Sequence, residues 1–334
     1  MRWRPGQGAV MRAGRRPASE ELGATVEKLA VLVGVGISPA QAWRYLAEAG
    51  EEPAATEVVR MLDRGASVPE AVARMAGAGV AAGRPSRRGT SRTEHGAVAS
   101  TRRAWAVLAT AWAVAIEAGA PLARCLGDIS DALRAAGRVE RDITAALAGP
   151  TATTRLVVAL PLVSLAAGAL MGLDTLGALL GSAAGIICLL FGLALVVVGR
   201  LWSGWLLRRA RTTEPVAGVA LDLVAVALSG GGSLEAATAL VHERCGAHGL
   251  AAENDIPAMR SVLVLAARAG APPGELLRHE AARIRRDAVS AATERAAALG
   301  VWLMVPLGVC ILPAFFLLAV APVLLGVLAS TAWG

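Results

Sequence analysis

Two long stretches without charge constrain this chain more than any other feature. From Leu156 to Gly199 the only charged residue is Asp174, and from Ala296 to Gly334 there is none. A helix crosses the hydrocarbon core of a bilayer with about 20 apolar residues. Leu156–Leu173 and Leu176–Val198 each meet that length, and Gly172-Leu173-Asp174-Thr175 reads as the turn of a helical hairpin. The third stretch, Val301 to Leu328, has 28 residues, which cover about 42 Å as a helix. That is long for one passage and short for two. Pro306, Pro313 and Pro322 interrupt it, so one tilted, kinked crossing is expected. The chain therefore reads as an all-α integral membrane protein with about three transmembrane helices.

Arginine placement sets an orientation. Arg155 precedes the hairpin, Arg200, Arg208, Arg209 and Arg211 follow it, and Arg283, Arg285, Arg286 and Arg295 precede the last span. The Asp174 turn carries no basic residue. The N-terminus and the region between the hairpin and the last span are expected to face the cytoplasm, in a multi-pass protein of the cell (inner) membrane. The first sixteen residues hold Arg2, Arg4, Arg12, Arg15 and Arg16 and no apolar run, which is not a secretory leader pattern. The net charge of +7 is modest. One tyrosine and three phenylalanines leave little to stack on bases, so no nucleic-acid partner is expected.

The parts outside the spans read as helices. Leu22, Val26, Leu29, Ala30 and Val33 lie on one helix face. A short unit then recurs at Gly36, Gly65, Gly119, Gly231 and Gly270. In each, glycine ends a helix in the left-handed conformation. Serine caps the next helix, or proline opens it, and Ser67 with Glu70 has capping-box spacing. These are expected to be structural helix corners. They belong to a larger tandem repeat. Gly119 leads to Arg138-Val-Glu-Arg141-Asp142 and then Pro161; Gly270 leads to Arg283-Ile-Arg285-Arg286-Asp287 and then Pro306. Asp-to-Pro separation is 19 residues in both, which suggests a helical lever in each half. The competing reading makes these arginines lipid anchors. The second half has no partner for the Gly65 corner. The expected plan is a basic tail (1–19), a cytoplasmic helical-bundle domain (20–155) with a flexible loop at 84–103, the membrane hairpin (156–199), a second, smaller helical-bundle domain (200–300) and a C-terminal membrane segment (301–330).

Catalysis finds little support. Lys28 is the only lysine, so no G-x-x-x-x-G-K-[ST] phosphate loop exists. No G-x-S-x-G elbow or H-E-x-x-H helix occurs. His242, Cys245 and His248 are of zinc-binding type, but their spacing matches no known site. No catalytic residue, cofactor or metal is expected. Four cysteines without a C-x-x-C pair exclude a disulfide scaffold.

The stretch Leu221-Asp-Leu-Val-Ala-Val-Ala-Leu-Ser-Gly-Gly-Gly-Ser-Leu-Glu-Ala-Ala237, with Ala269-Gly-Ala-Pro-Pro-Gly-Glu-Leu-Leu277 and the arginine-rich helix after it, resembles the type II secretion F-domain proteins. These are the inner-membrane platform proteins of type II secretion and type IV pili, including the TadB and TadC types of tight-adherence pili. Residues 29–150 resemble a divergent second copy. The resemblance implies a non-enzymatic platform that contacts a hexameric cytoplasmic secretion ATPase, pilin or pseudopilin transmembrane helices and a paralogous platform subunit, as a homo- or hetero-oligomer. Arg138, Arg141, Asp142, Arg283, Arg285, Arg286 and Asp287 are then the coupling candidates. A small-solute transporter or channel subunit is the alternative, since repeats and proline-broken helices also occur there.

Overall fold

The computed structural model describes residues 17–50, 52–78, 92–145, 183–210, 217–250, 253–302 and 304–321. Every regular element among them is helical. They are α1 (Ala18–Gly34), α2 (Pro39–Glu48), α3 (Pro53–Asp63), α4 (Val68–Ala78), α5 (Arg92–Glu117), α6 (122–145), α7 (Ala183–Ala210), α8 (Val219–Ser229), α9 (Leu234–Ala247), α10 (Ile256–Ala269) and α11 (Pro273–Trp302). The chain divides into two compact units. One holds Met1–Arg141 with Glu214–Ser290, the other Asp142–Thr213 with Ala291–Gly334.

In the first unit, the helices from both sides of the hairpin sequence share one apolar core. Leu29, Trp43, Leu108, Trp112, Leu126 and Leu133 from the first half join Leu221, Leu223 and Leu277 from the second. Sequence reading expects two bundle domains; here the two helical regions form one unit. Trp43 and Trp105 stack with ring centroids 6.3 Å apart. α3 packs on α2, and α4 lies along α5.

The five corner glycines all have the left-handed conformation, with φ between 65° and 92°. The caps form as their sequences require. Ser38 Oγ accepts from the Gln41 amide at 3.4 Å, and Ser233 Oγ from the Ala236 amide at 3.2 Å. Ser67 and Glu70 close a reciprocal box: Ser67 N–H donates to Glu70 Oε2 at 3.1 Å and Glu70 N–H to Ser67 Oγ at 3.4 Å. Gly50 and Gly249 make two further turns of the same hand.

One local expectation fails. The loop expected at 84–103 is helical from Arg92 onward, as the first half of α5. Its Gly, Ser, Thr and Arg content suggested a linker. The second half of α5 is buried from Ala104 to Ala115 apart from Ala113, and a helix nucleated there extends at low cost.

Among the described residues, two helices are long and apolar enough to cross a membrane. Gly185–Leu206 has a mean hydropathy of 2.3; the apolar part of Pro273–Leu318 has 2.4. The span expected at 156–173 lies outside the described residues. The helix that carries the second expected span runs on past Arg200 to Ala210; an arginine stem can lie along a helix while its head reaches water. Glycines let α7 approach the C-terminal segment closely. A Cβ on Gly192 would stand 2.6 Å from Leu318 Cγ, and one on Gly199 would stand 3.1 Å from Cys310 Cβ. Beyond Met304 the C-terminal segment stays helical through Pro306 and Pro313. It absorbs them with π-helical turns at Leu307–Ile311 and Phe316–Val320. A proline removes one amide donor and crowds the carbonyl four residues back, and a wider turn relieves both.

Candidate functional site

The first helix of each repeat lies against its last, and the contacts occur at matching positions. In the first repeat α1 meets α6. A Cβ on Gly137 would stand 2.6 Å from Glu20 Cβ, and Ser130 Oγ donates to the Gly23 carbonyl at 2.9 Å. In the second repeat α8 meets α11, where a Cβ on Gly218 would stand 3.0 Å from the Ala281 carbonyl oxygen. Gly23 and Gly218 each lie thirteen residues before a corner glycine, Gly36 or Gly231. Ser130 and Ala281 each lie eleven residues after one, Gly119 or Gly270.

An ion pair ties each of these helix pairs together, again at matching positions. Glu27 and Asp222 stand nine residues before Gly36 and Gly231; Arg134 and Arg285 stand fifteen residues after Gly119 and Gly270. Arg134 grips Glu27 through both guanidinium Nη atoms, with Nη1 donating to Oε1 at 2.9 Å. Arg285 Nη1 donates to Asp222 Oδ2. The surroundings differ. The side chains of Arg134 and Glu27 are 32% and 50% exposed, those of Arg285 and Asp222 only 17% and 3%. Burial pushes the Asp222 carboxyl up to about 7, against the pull of Arg285. Desolvation disfavours the charged form, and one guanidinium does not offset it.

The repeats also meet each other. Arg124 Nη2 donates to Glu275 Oε1 at 3.0 Å; both residues stand five past their corner glycines. Arg278 Nε donates to Asp128 Oδ2 at 3.2 Å. Arg244 Nη2 lies 2.7 Å from Glu117 Oε1. Corner meets corner as well: a Cβ on Gly230 would fall 1.8 Å from the Ala118 carbonyl oxygen. Only glycine fits there, and for reasons of space rather than φ.

This register corrects the repeat drawn from the two Arg-x-x-Arg-Asp segments. α6 and α11 both begin three residues past their corner glycines, yet Arg138 lies nineteen residues past Gly119 and Arg283 thirteen past Gly270. The segments are out of step by six residues, so they occupy different helix faces. Their matching distance to Pro161 and Pro306 falls partly outside the described residues, which do not include Pro161. The coupling candidates are not gathered at one place. Arg138, Asp142, Arg286 and Asp287 are exposed. Arg141 Nε lies 3.0 Å from Glu20 Oε2. Arg283 bonds Glu280 and, at 2.8 Å, Asp287 Oδ2 on its own helix. Of the seven, only Arg285 reaches a buried partner.

Sequence reading missed Asp222, Glu27 and Arg134. The signal was present: Asp222 is the only charge in Val219–Ser229. Two of the thiols are held protonated by burial. Cys125 is buried, donates weakly to the Ala111 carbonyl at 3.6 Å, and its thiol is pushed up to about 12 by burial. Cys245 is buried and pushed up to about 11, while His242 is exposed. Among the described residues no three His, Cys, Asp or Glu side chains converge as a metal would need. The arrangement is one of helices latched by ion pairs and close glycine contacts.

The family model described as type II secretion system (T2SS), protein F matches residues 25–169 and 206–321, one match over each repeat. No curated protein and no solved structure matches the chain significantly. A model that covers most of the sequence, on a fold of paired helical repeats with two membrane-length apolar helices, places the chain in the type II secretion system protein F family, whose members are membrane platform proteins of secretion and type IV pilus machines.

Proposed function

We propose that the chain is the inner-membrane platform of a tight-adherence (TadB- or TadC-type) pilus or related secretion machine, and not an enzyme. It couples a hexameric cytoplasmic ATPase to the assembly of pilin or pseudopilin helices, in an oligomer with itself or a paralogous platform subunit. The N-terminus and the helical unit face the cytoplasm. Impermeant maleimide on whole cells should then label a cysteine placed at Asp174 and spare one at Ser86; labelling of Ser86 would reverse the orientation.

The observation that carries this reading is the helix Pro273–Leu318. Near its start, Arg285 is locked to the buried Asp222 of the helical unit; its later part is apolar at membrane length. The same stretch of sequence thus carries a residue gripped within the helical unit and, further on, an apolar segment of membrane length. Arg285 is committed to Asp222, which weakens the view that these arginines serve only as lipid anchors. Inserting two glycines after Asp287 keeps every charge and weakens the helix by about 0.8–1.0 kcal/mol per glycine relative to alanine. The expected outcome is loss of fibre assembly or secretion at a normal membrane level and with normal ATPase binding. The exposed Arg286→Glu variant should assemble normally. Normal assembly in the insertion variant would refute transmission through this helix.

A further inference from the structure

The second repeat leaves open a groove that the first repeat covers. The groove lies between α9 and α10 and has a volume of about 700 Å³. Thr238, Ile256, Met259 and Leu263 line it. In the repeat register these stand where the first repeat has Trp43, Trp105, Leu108 and Trp112. Those four are buried, closed in by α3 and α4. Gly36 and Gly119 are 83 residues apart, Gly231 and Gly270 only 39; the difference holds the α3–α4 hairpin. Without it, Ile256 and Val264 are 40% and 54% exposed.

We propose that this groove binds a helix of a separate protein, apolar on one face and acidic on its flank. The first repeat shows that a helix fits this surface. Thr238 in place of a tryptophan leaves room for large apolar side chains, which helix-in-groove recognition takes as anchors at i, i+4 and i+7. Among the lining residues the one charged side chain is Arg260, which selects an acidic flank. The arginine-rich start of this chain has the wrong sign to fill it. The inference rests on the comparison of repeats and stands apart from the platform reading.

The test uses the full chain in lipid nanodiscs and two fluorescent synthetic helices. Both carry the same leucine and tryptophan face; one is flanked by glutamate, the other by lysine. The glutamate helix should bind about tenfold more tightly or better, a difference of about 1.4 kcal/mol. Val264→Glu should abolish that advantage, and Arg260→Glu should reverse the preference. Thr238→Trp with Ile256→Trp, which rebuilds the stacked pair of the first repeat, should fill the groove and weaken binding of both helices. Equal binding of the two helices, binding of neither, or no effect of Val264→Glu would overturn the proposal. So would cross-linking between two copies through a cysteine at position 264, which would assign the groove to a second copy of the chain.

Discussion

The two repeats share a backbone plan and place their energetic investment differently. The first buries the apolar surface of α2 and α5 under α3 and α4 and leaves its latch, Glu27–Arg134, in contact with water. The second buries its latch, Asp222–Arg285, and leaves the α9–α10 surface open.

The largest test of this contrast is the latch. Above pH 7, where the Asp222 carboxyl is ionised, Asp222→Ala leaves Arg285 unpaired in a poorly solvated place and should destabilise the helical unit by about 3–5 kcal/mol. Glu27→Ala, at the same repeat position, should cost about 0–1 kcal/mol, as exposed pairs do. Denaturant midpoints of the two full-length variants in detergent check this, and equal costs would erase the distinction.

The core follows. Leu108→Ala empties a closed site and should cost about 2–5 kcal/mol. Met259→Ala, its counterpart on the open groove, should cost less than about 1 kcal/mol, because Met259 is already partly solvated. Thermal unfolding of both variants measures the gap. A large cost at Met259 would mean that something already covers the groove.

The smallest effect is on pH dependence. The Asp222 carboxyl titrates at about 7 in the folded chain against 3.8 for the ordinary group. Between these values the folded chain holds a proton that the unfolded chain has released. The contribution of Asp222 to stability is therefore greatest at the acidic end and falls as pH rises from about 4 to about 7. Asp222→Asn should flatten that slope in urea midpoints taken across the window. An unchanged slope would show that Asp222 keeps its charge throughout.

Much of the fold is legible in the chain because its signals are local. Positive φ at Gly36, Gly65, Gly119, Gly231 and Gly270, the Ser38 and Ser233 caps and the Ser67–Glu70 box follow from residue type at short range. The missing partner of the Gly65 corner is visible as well, and it foretells the absent α3–α4 cover. The latches were not found, because each joins residues 107 and 63 positions apart. The Arg-x-x-Arg-Asp motif misled for a related reason. A repeated string fixes neither helix face nor partner, and a six-residue slip changes both.

By itself, the sequence determined the helical class, the membrane-length apolar helices, the corners and the duplication. These depend on hydropathy summed over a segment and on backbone preferences of single residues. The tertiary structure alone decided that the helices flanking the hairpin sequence share one core, and that Arg285 belongs to Asp222. It also decided which repeat keeps its apolar face open. Those outcomes depend on what stands opposite each side chain and how much water remains there. Like charges at equivalent positions thus acquire different energies.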